Sequence, residues 1–67
     1  MEFTLRDEYI ELIKLLKTTK IAQTGGHARI LVESGEVSVN KHVELRKRAK
    51  IRKGDVVTVE GHKVTVV

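Results

Sequence analysis

The 67-residue sequence predicts an α+β domain, with a two-helix N-terminal half packed on a small, mostly antiparallel sheet of short strands. Apolar residues recur at helical spacing from Tyr9 to Leu16, and again from Ala28 to Val32. Beyond Gly35 the period shortens to the alternation of strands, in Val37-Ser38-Val39 and in the Val-rich stretch that ends the chain. No repeat, low-complexity tract or linker interrupts the sequence, so residues 1–67 are expected to form one domain.

Phe3-Thr4-Leu5 reads as a short edge strand. Asp7 is a candidate N-cap, because its carboxylate can accept from the free N–H groups that open a helix. The first helix is expected over 8–17, with Tyr9, Leu12, Ile13 and Leu16 inward and Ile10 and Leu15 widening the stripe. Thr18-Thr19-Lys20 ends it, and Ile21-Ala22 makes a brief apolar contact. Thr24 is the expected cap of a second helix, whose buried face is Ala28, Leu31 and Val32 and whose stop signal is Gly35.

Val37-Ser38-Val39 then forms a half-buried strand leading to a turn at Asn40-Lys41-His42. A two-residue loop there sets Val37 opposite Glu44 and mixes the faces. A three-residue loop pairs Val39 with Val43 and Val37 with Leu45, and is the register expected. Arg52-Lys53-Gly54-Asp55 is a tight turn with Gly54 free to take positive φ. In the last hairpin, Gly61-His62 fits a type II′ loop that pairs Val59 with Val64 and Val57 with Val66.

Composition narrows the function. With no Cys there is no disulfide or thiolate metal site, and no metal or cofactor is expected. One Phe, one Tyr and no Trp argue against the aromatic platforms on which single-stranded nucleic acids stack. No run of about 20 apolar residues spans a bilayer, and the first residues lack the layout of a signal peptide, so a cytoplasmic location is expected. The net charge of +4 and a pI near 9.7 suit a polyanionic partner. Residues 41–53 hold seven Lys and Arg against Glu44 alone, while residues 1–40 hold five against six acids. The excess charge therefore sits in one short segment.

Candidate contacts follow from this distribution. Thr24, Gly25 and Gly26 open the second helix, where unpaired N–H groups and the helix dipole favour a phosphate. Arg29 projects from the same helix, opposite its buried face. Lys41 lies in the first hairpin turn, and Arg46, Lys47, Arg48 and Lys50 follow it, bracketed by Leu45 and Ile51 as expected core anchors. Such a run of like charge is unfavourable unless it is disordered, which anchors at Leu45 and Ile51 argue against, or serves an anionic partner; the plainer alternative is a merely solubilising surface. Catalysis has little footing. His27, His42 and His62 lie in three separate elements, and Ser34 and Ser38 lack a nucleophile's surroundings, so the chain is expected not to be an enzyme.

The ordered set Thr24-Gly25-Gly26-x-Ala28-Arg29, Gly35-x-Val37-x-Val39-Asn40, Glu44-x-Arg46-Lys47-x-x-Lys50-Ile51 and Gly54-Asp55-x-Val57 resembles a known family. It is similar to the RNA-binding domain first known from ribosomal protein S-four, the alpha-L RNA-binding motif, and above all to its small stand-alone bacterial members. The resemblance covers Phe3 to Val67. It implies a face built from the start of the second helix and the basic segment, matching Thr24, Gly25, Gly26, Arg29, Arg46, Lys47 and Lys50. It also implies a partner of structured RNA, ribosomal or tRNA-like, and the chain is expected to act as a monomer. The family often has Gly after the turn Asn, where this chain has Lys41. Two rivals remain open. A helix-turn-helix DNA binder would have only His27, Arg29 and Glu33 as base readers on its second helix. A protein-interaction or assembly factor would carry the charge for solubility alone.

Overall fold

A computed structural model describes residues 1–67. The elements in chain order are β1 (Glu2–Phe3), β2 (Ile10–Glu11), α1 (Leu12–Thr18), α2 (Gly25–Glu33), β3 (Val37–Val39), β4 (His42–Val43), β5 (Lys50–Ile51), β6 (Val56–Val59) and β7 (His62–Val66). Five strands form one sheet in the order β1-β7-β6-β3-β4, in which only β1 runs parallel to its neighbour, and β2 with β5 forms a separate antiparallel pair. The α+β class expected from the sequence is the one observed.

All 16 buried residues are apolar and form one cluster, so the core carries no polar side chain that needs a partner. Alternation supplies the sheet's share. Val57 and Val59 of β6 and Val64 and Val66 of β7 point inward, with Thr58 exposed between the first two. The helices supply Leu12, Leu15 and Leu16 from α1 and Ala28, Leu31 and Val32 from α2. No helix is long and apolar enough to cross a membrane.

α2 follows its sequence signals closely. The Thr24 hydroxyl accepts from the His27 N–H at 3.0 Å, and His27 Nδ1 accepts from the Gln23 N–H at 3.3 Å. At the other end Gly35 takes φ +78°, its N–H donating to Val32 O and the Glu36 N–H donating to Leu31 O. This is a Schellman closure.

α1 departs from expectation. It begins at Leu12 rather than residue 8, because Ile10 and Glu11 pair with Ile51 and Lys50. Asp7 does not cap it. The N-cap is Glu11, which makes no side-chain cap bond. Instead the Leu12 N–H donates to Ala49 O at 2.9 Å and the Ile13 N–H to Lys47 O at 3.1 Å. Backbone carbonyls from a distant segment do what a capping side chain does elsewhere. Tyr9, expected on the buried stripe, stands ahead of the helix and is exposed.

The edge strand is also shifted. Glu2 and Phe3 pair with Thr65 and Val66, while Leu5 is buried and donates its N–H to Val67 O. Both hairpin registers differ from those expected. The first hairpin has a two-residue loop at Asn40-Lys41, with Val39 opposite His42 and Ser38 opposite Val43. Both loop residues have positive φ, 51° and 72°, as a type I′ turn requires. Pairing apolar with apolar gained nothing here, since Val43 and Leu45 are about 60% exposed. The second hairpin turns at Glu60-Gly61, again with positive φ at both residues, and pairs Val57 with Val64 and Val59 with His62. This differs by two residues from the expected register, a slip that keeps every side chain on its own face.

Candidate nucleic-acid interface

The basic segment runs from Arg46 to Lys53 and is an ordered part of the fold. Ile51 and Ala49 are buried, and the carbonyls of Lys47 and Ala49 point into the start of α1. Leu45, expected as the other anchor, is exposed. The segment is held from its middle by Ala49 rather than from that end. With its backbone turned inward, the charged side chains face solvent.

Arg46, Arg48, Lys50 and Arg52 line one hollow of about 450 Å³, with Ala49 at its base. Lys47, half-buried, does not line it. Two of the four arginine and lysine side chains have carboxylate partners. Arg46 is gripped by Glu44, Nε to Oε2 at 3.0 Å and Nη2 to Oε1 at 3.1 Å. Arg48 Nε donates to Glu11 Oε2 at 3.2 Å. The Arg46 side chain, followed by the Arg46 backbone N–H, holds the Glu44 carboxyl below its ordinary value, and the Arg46 guanidinium is correspondingly raised by its hydrogen bonds to Glu44.

Tyr9 completes the group. Its ring lies 5.0 Å from Lys50 Nζ and 5.9 Å from Arg52 Cζ, within cation–π range of both. The same tyrosine lines a larger hollow of about 710 Å³ bounded by the N-terminal segment and α1, where charges of both signs mix. Sequence reasoning missed Tyr9 by assigning it to the core, and left Arg52 outside the candidate set. Arg52 could have been found as the continuation of the charge run, whereas nothing in the sequence near Tyr9 signals its contact with residues 50 and 52.

The remaining candidates lie elsewhere. Lys41 lines a third hollow with Asn40, Val56, Thr58 and Lys63, apart from the one around Arg48. Thr24, Gly25, Gly26 and Arg29 line none of these hollows, and Arg29 is exposed on α2. At the start of α2 a Cβ added to Gly25 would meet nothing within 4 Å. One added to Gly26 would meet only Thr24 Oγ1 at 3.8 Å, so packing does not demand either glycine.

A compact α+β frame with a basic segment folded against the first helix defines a class. The S4 domain family model matches residues 3–67, and the chain belongs to that family. Over 59 residues, 88% of this chain and 84% of the relative, it is 42% identical to the Escherichia coli K12 protein named "Putative RNA-binding protein YbcJ". The solution structure of YbcJ, described as revealing an alfaL motif involved in RNA-binding, matches with a TM-score of 0.77 at 40% identity. That match covers 98% of this chain and 85% of the other. A Bacillus subtilis protein named "Probable ribosome maturation protein RlbA" is 39% identical over 54 residues, 81% of this chain and 76% of the relative. Ribosomal protein S4e of the Thermoplasma acidophilum 30S subunit shares the fold, with a TM-score of 0.73 at 19% identity over 87% of this chain and 31% of that one.

Proposed function

We propose that this chain is a non-catalytic module that grips structured RNA, ribosomal or tRNA-like, through phosphate contacts from a basic face. One observation carries the reading. Arg46, Arg48, Lys50 and Arg52 surround a single hollow on a backbone fixed by buried residues and by α1. Like charges gathered so closely repel, and a polyanion relieves the repulsion. A fixed frame also reduces the freedom lost on binding. The named relatives and the motif described for YbcJ support RNA as that polyanion.

Within this reading Lys47 flanks the central group, and Lys41, in a hollow of its own, adds a further positive charge. Thr24, Gly25, Gly26 and Arg29 provide a second contact at the start of α2, where the open glycines let a phosphate approach the helix N–H groups. α1 connects the two regions and, at seven residues, is about 10 Å long. With a single Tyr and a single Phe, the chain has little to stack on unpaired bases, which favours folded RNA over single strands. The basic segment lies outside α2, which disfavours a helix-turn-helix mode on DNA. We take the chain to act as a cytoplasmic monomer, so light scattering should give a mass near 7.6 kDa.

The test compares a hairpin RNA, a matched duplex DNA and a single-stranded RNA at several salt concentrations. The hairpin should bind tightest. If about five phosphates are neutralised, log affinity should fall against log salt with a slope of roughly −3.5 to −4.5. Equal binding to all three would count against the proposal. Replacing Arg46, Lys47 and Lys50 together by Glu should abolish RNA association. An assembly factor that carries its charge only for solubility would keep its protein partner in that variant.

A further inference from the structure

Two carboxylates reach into the basic segment, and they do so differently. Glu11 meets Arg48 at one nitrogen only, and its side chain is a third exposed. Glu44 grips Arg46 at two nitrogens, also accepts the Arg46 backbone N–H at 3.0 Å, and is only 18% exposed. Its own N–H donates to Val37 O, which ties it to the main sheet. Arg46, by contrast, is 80% exposed. A carboxylate that accepts three hydrogen bonds from Arg46 therefore holds one edge of a guanidinium whose other edge faces solvent.

Resting on the RNA reading above, we propose that Glu44 is a positioning residue that aims the outer edge of the Arg46 guanidinium at one RNA phosphate. A guanidinium has five N–H donors. Glu44 takes the one on Nε and one on Nη2. The pair on Nη1 and the remaining one on Nη2 stay free along the opposite edge, where two parallel hydrogen bonds can meet two phosphate oxygens. Lys47, Lys50 and Arg52 form no ion pair with a carboxylate, so only Arg46 is held in this two-pronged way.

The proposal opposes simple electrostatics. Removing Glu44 raises the net charge from +4 to +5, and charge alone would then tighten RNA binding. Positioning demands the reverse, because a freed arginine regains rotamers that binding must restrict again.

The experiment measures hairpin-RNA affinity for the unmodified chain, Glu44→Ala, Arg46→Lys, the double variant and Glu36→Gln, with folding checked by circular dichroism. Glu36 is an exposed carboxylate outside the hollow and serves as the charge control. Glu44→Ala should weaken binding about fivefold, whereas Glu36→Gln should bind as well as the unmodified chain or better. In the Arg46→Lys background Glu44→Ala should have no further effect, since an ammonium cannot be held by two nitrogens. If Glu44→Ala folds poorly, Glu44→Gln, which sets an NH2 against Nη2, carries the same expectation. Binding by the Glu44 variant equal to or tighter than that of the unmodified chain overturns the inference alone. So does a loss of the same size whether Arg46 is retained or replaced by lysine. If the unmodified chain does not bind the hairpin, the RNA reading falls, and this inference with it.

Discussion

Asn40 Nδ2 donates to Asp55 Oδ1 at 3.0 Å, joining the tip of the β3–β4 turn to the turn that follows the basic segment. Each partner is tied down a second time. Asn40 Oδ1 accepts from the Val56 N–H at 2.9 Å, and Asp55 Oδ2 accepts from the Arg52 N–H at 2.8 Å. The far end of the basic segment is thereby set in register with the main sheet.

Replacing Asn40 by Ala removes both side-chain bonds and places a residue with less tolerance for positive φ at 51°. The expected loss of stability is about 1–3 kcal/mol, read from urea unfolding. An unchanged midpoint would show that the two turns are held together by other means.

Gly25→Ala should separate stability from binding. Nothing obstructs a Cβ there, and Ala restricts the unfolded chain more than Gly does, so the variant should gain about 0.4–1 kcal/mol in thermal or urea unfolding. If a phosphate sits on the opening of α2, the same methyl group should weaken hairpin-RNA binding. A stabilised variant with undiminished affinity removes the second contact from the proposal.

Tyr9→Phe keeps a ring beside Lys50 and Arg52, whereas Tyr9→Leu does not. The Leu variant should lose about 0.5–1 kcal/mol relative to the Phe variant, measured by chemical unfolding. Equal stabilities would mean that the ring contributes only its apolar area.

Glu44 makes a specific contribution to the pH dependence. Its carboxyl is held below the ordinary value of 4.5 by Arg46, so the folded state favours the ionised form. That contribution is complete above the ordinary value and is lost as pH falls through the lowered one, while Arg46 stays charged throughout. The stability advantage of the unmodified chain over Glu44→Gln should therefore be full at neutral pH and close in acid. A difference that does not narrow anywhere in the acid range would contradict this.

What is legible in the sequence follows how local the forces are. α2 can be read in full because Thr24 and Gly35 act within a turn of the ends they define. The start of α1 cannot, because the periodic stripe continues past Ile10 while the strand partners and acceptors that set the boundary lie at residues 47–51. Face assignment in the last hairpin survives a wrong register because alternation repeats every two residues. The turns are misjudged for a different reason: Lys41 and Glu60 take positive φ without being residues that usually signal it. For the candidate site, the charge run is plain in the sequence. The carboxylate behind Arg46 can be seen nearby but not its two-pronged grip, and the Tyr9 contact depends on the folded chain.

The carbonyls of Lys47 and Ala49 that close the start of α1 also give the basic segment a fixed length. One exposed side chain there can be exchanged for another without disturbing the backbone that carries it, whereas the buried Ala49 cannot. An added or deleted residue between them would swing one acceptor away from the helix and leave a main-chain donor stranded. Spelling can vary along this stretch, but its metre cannot.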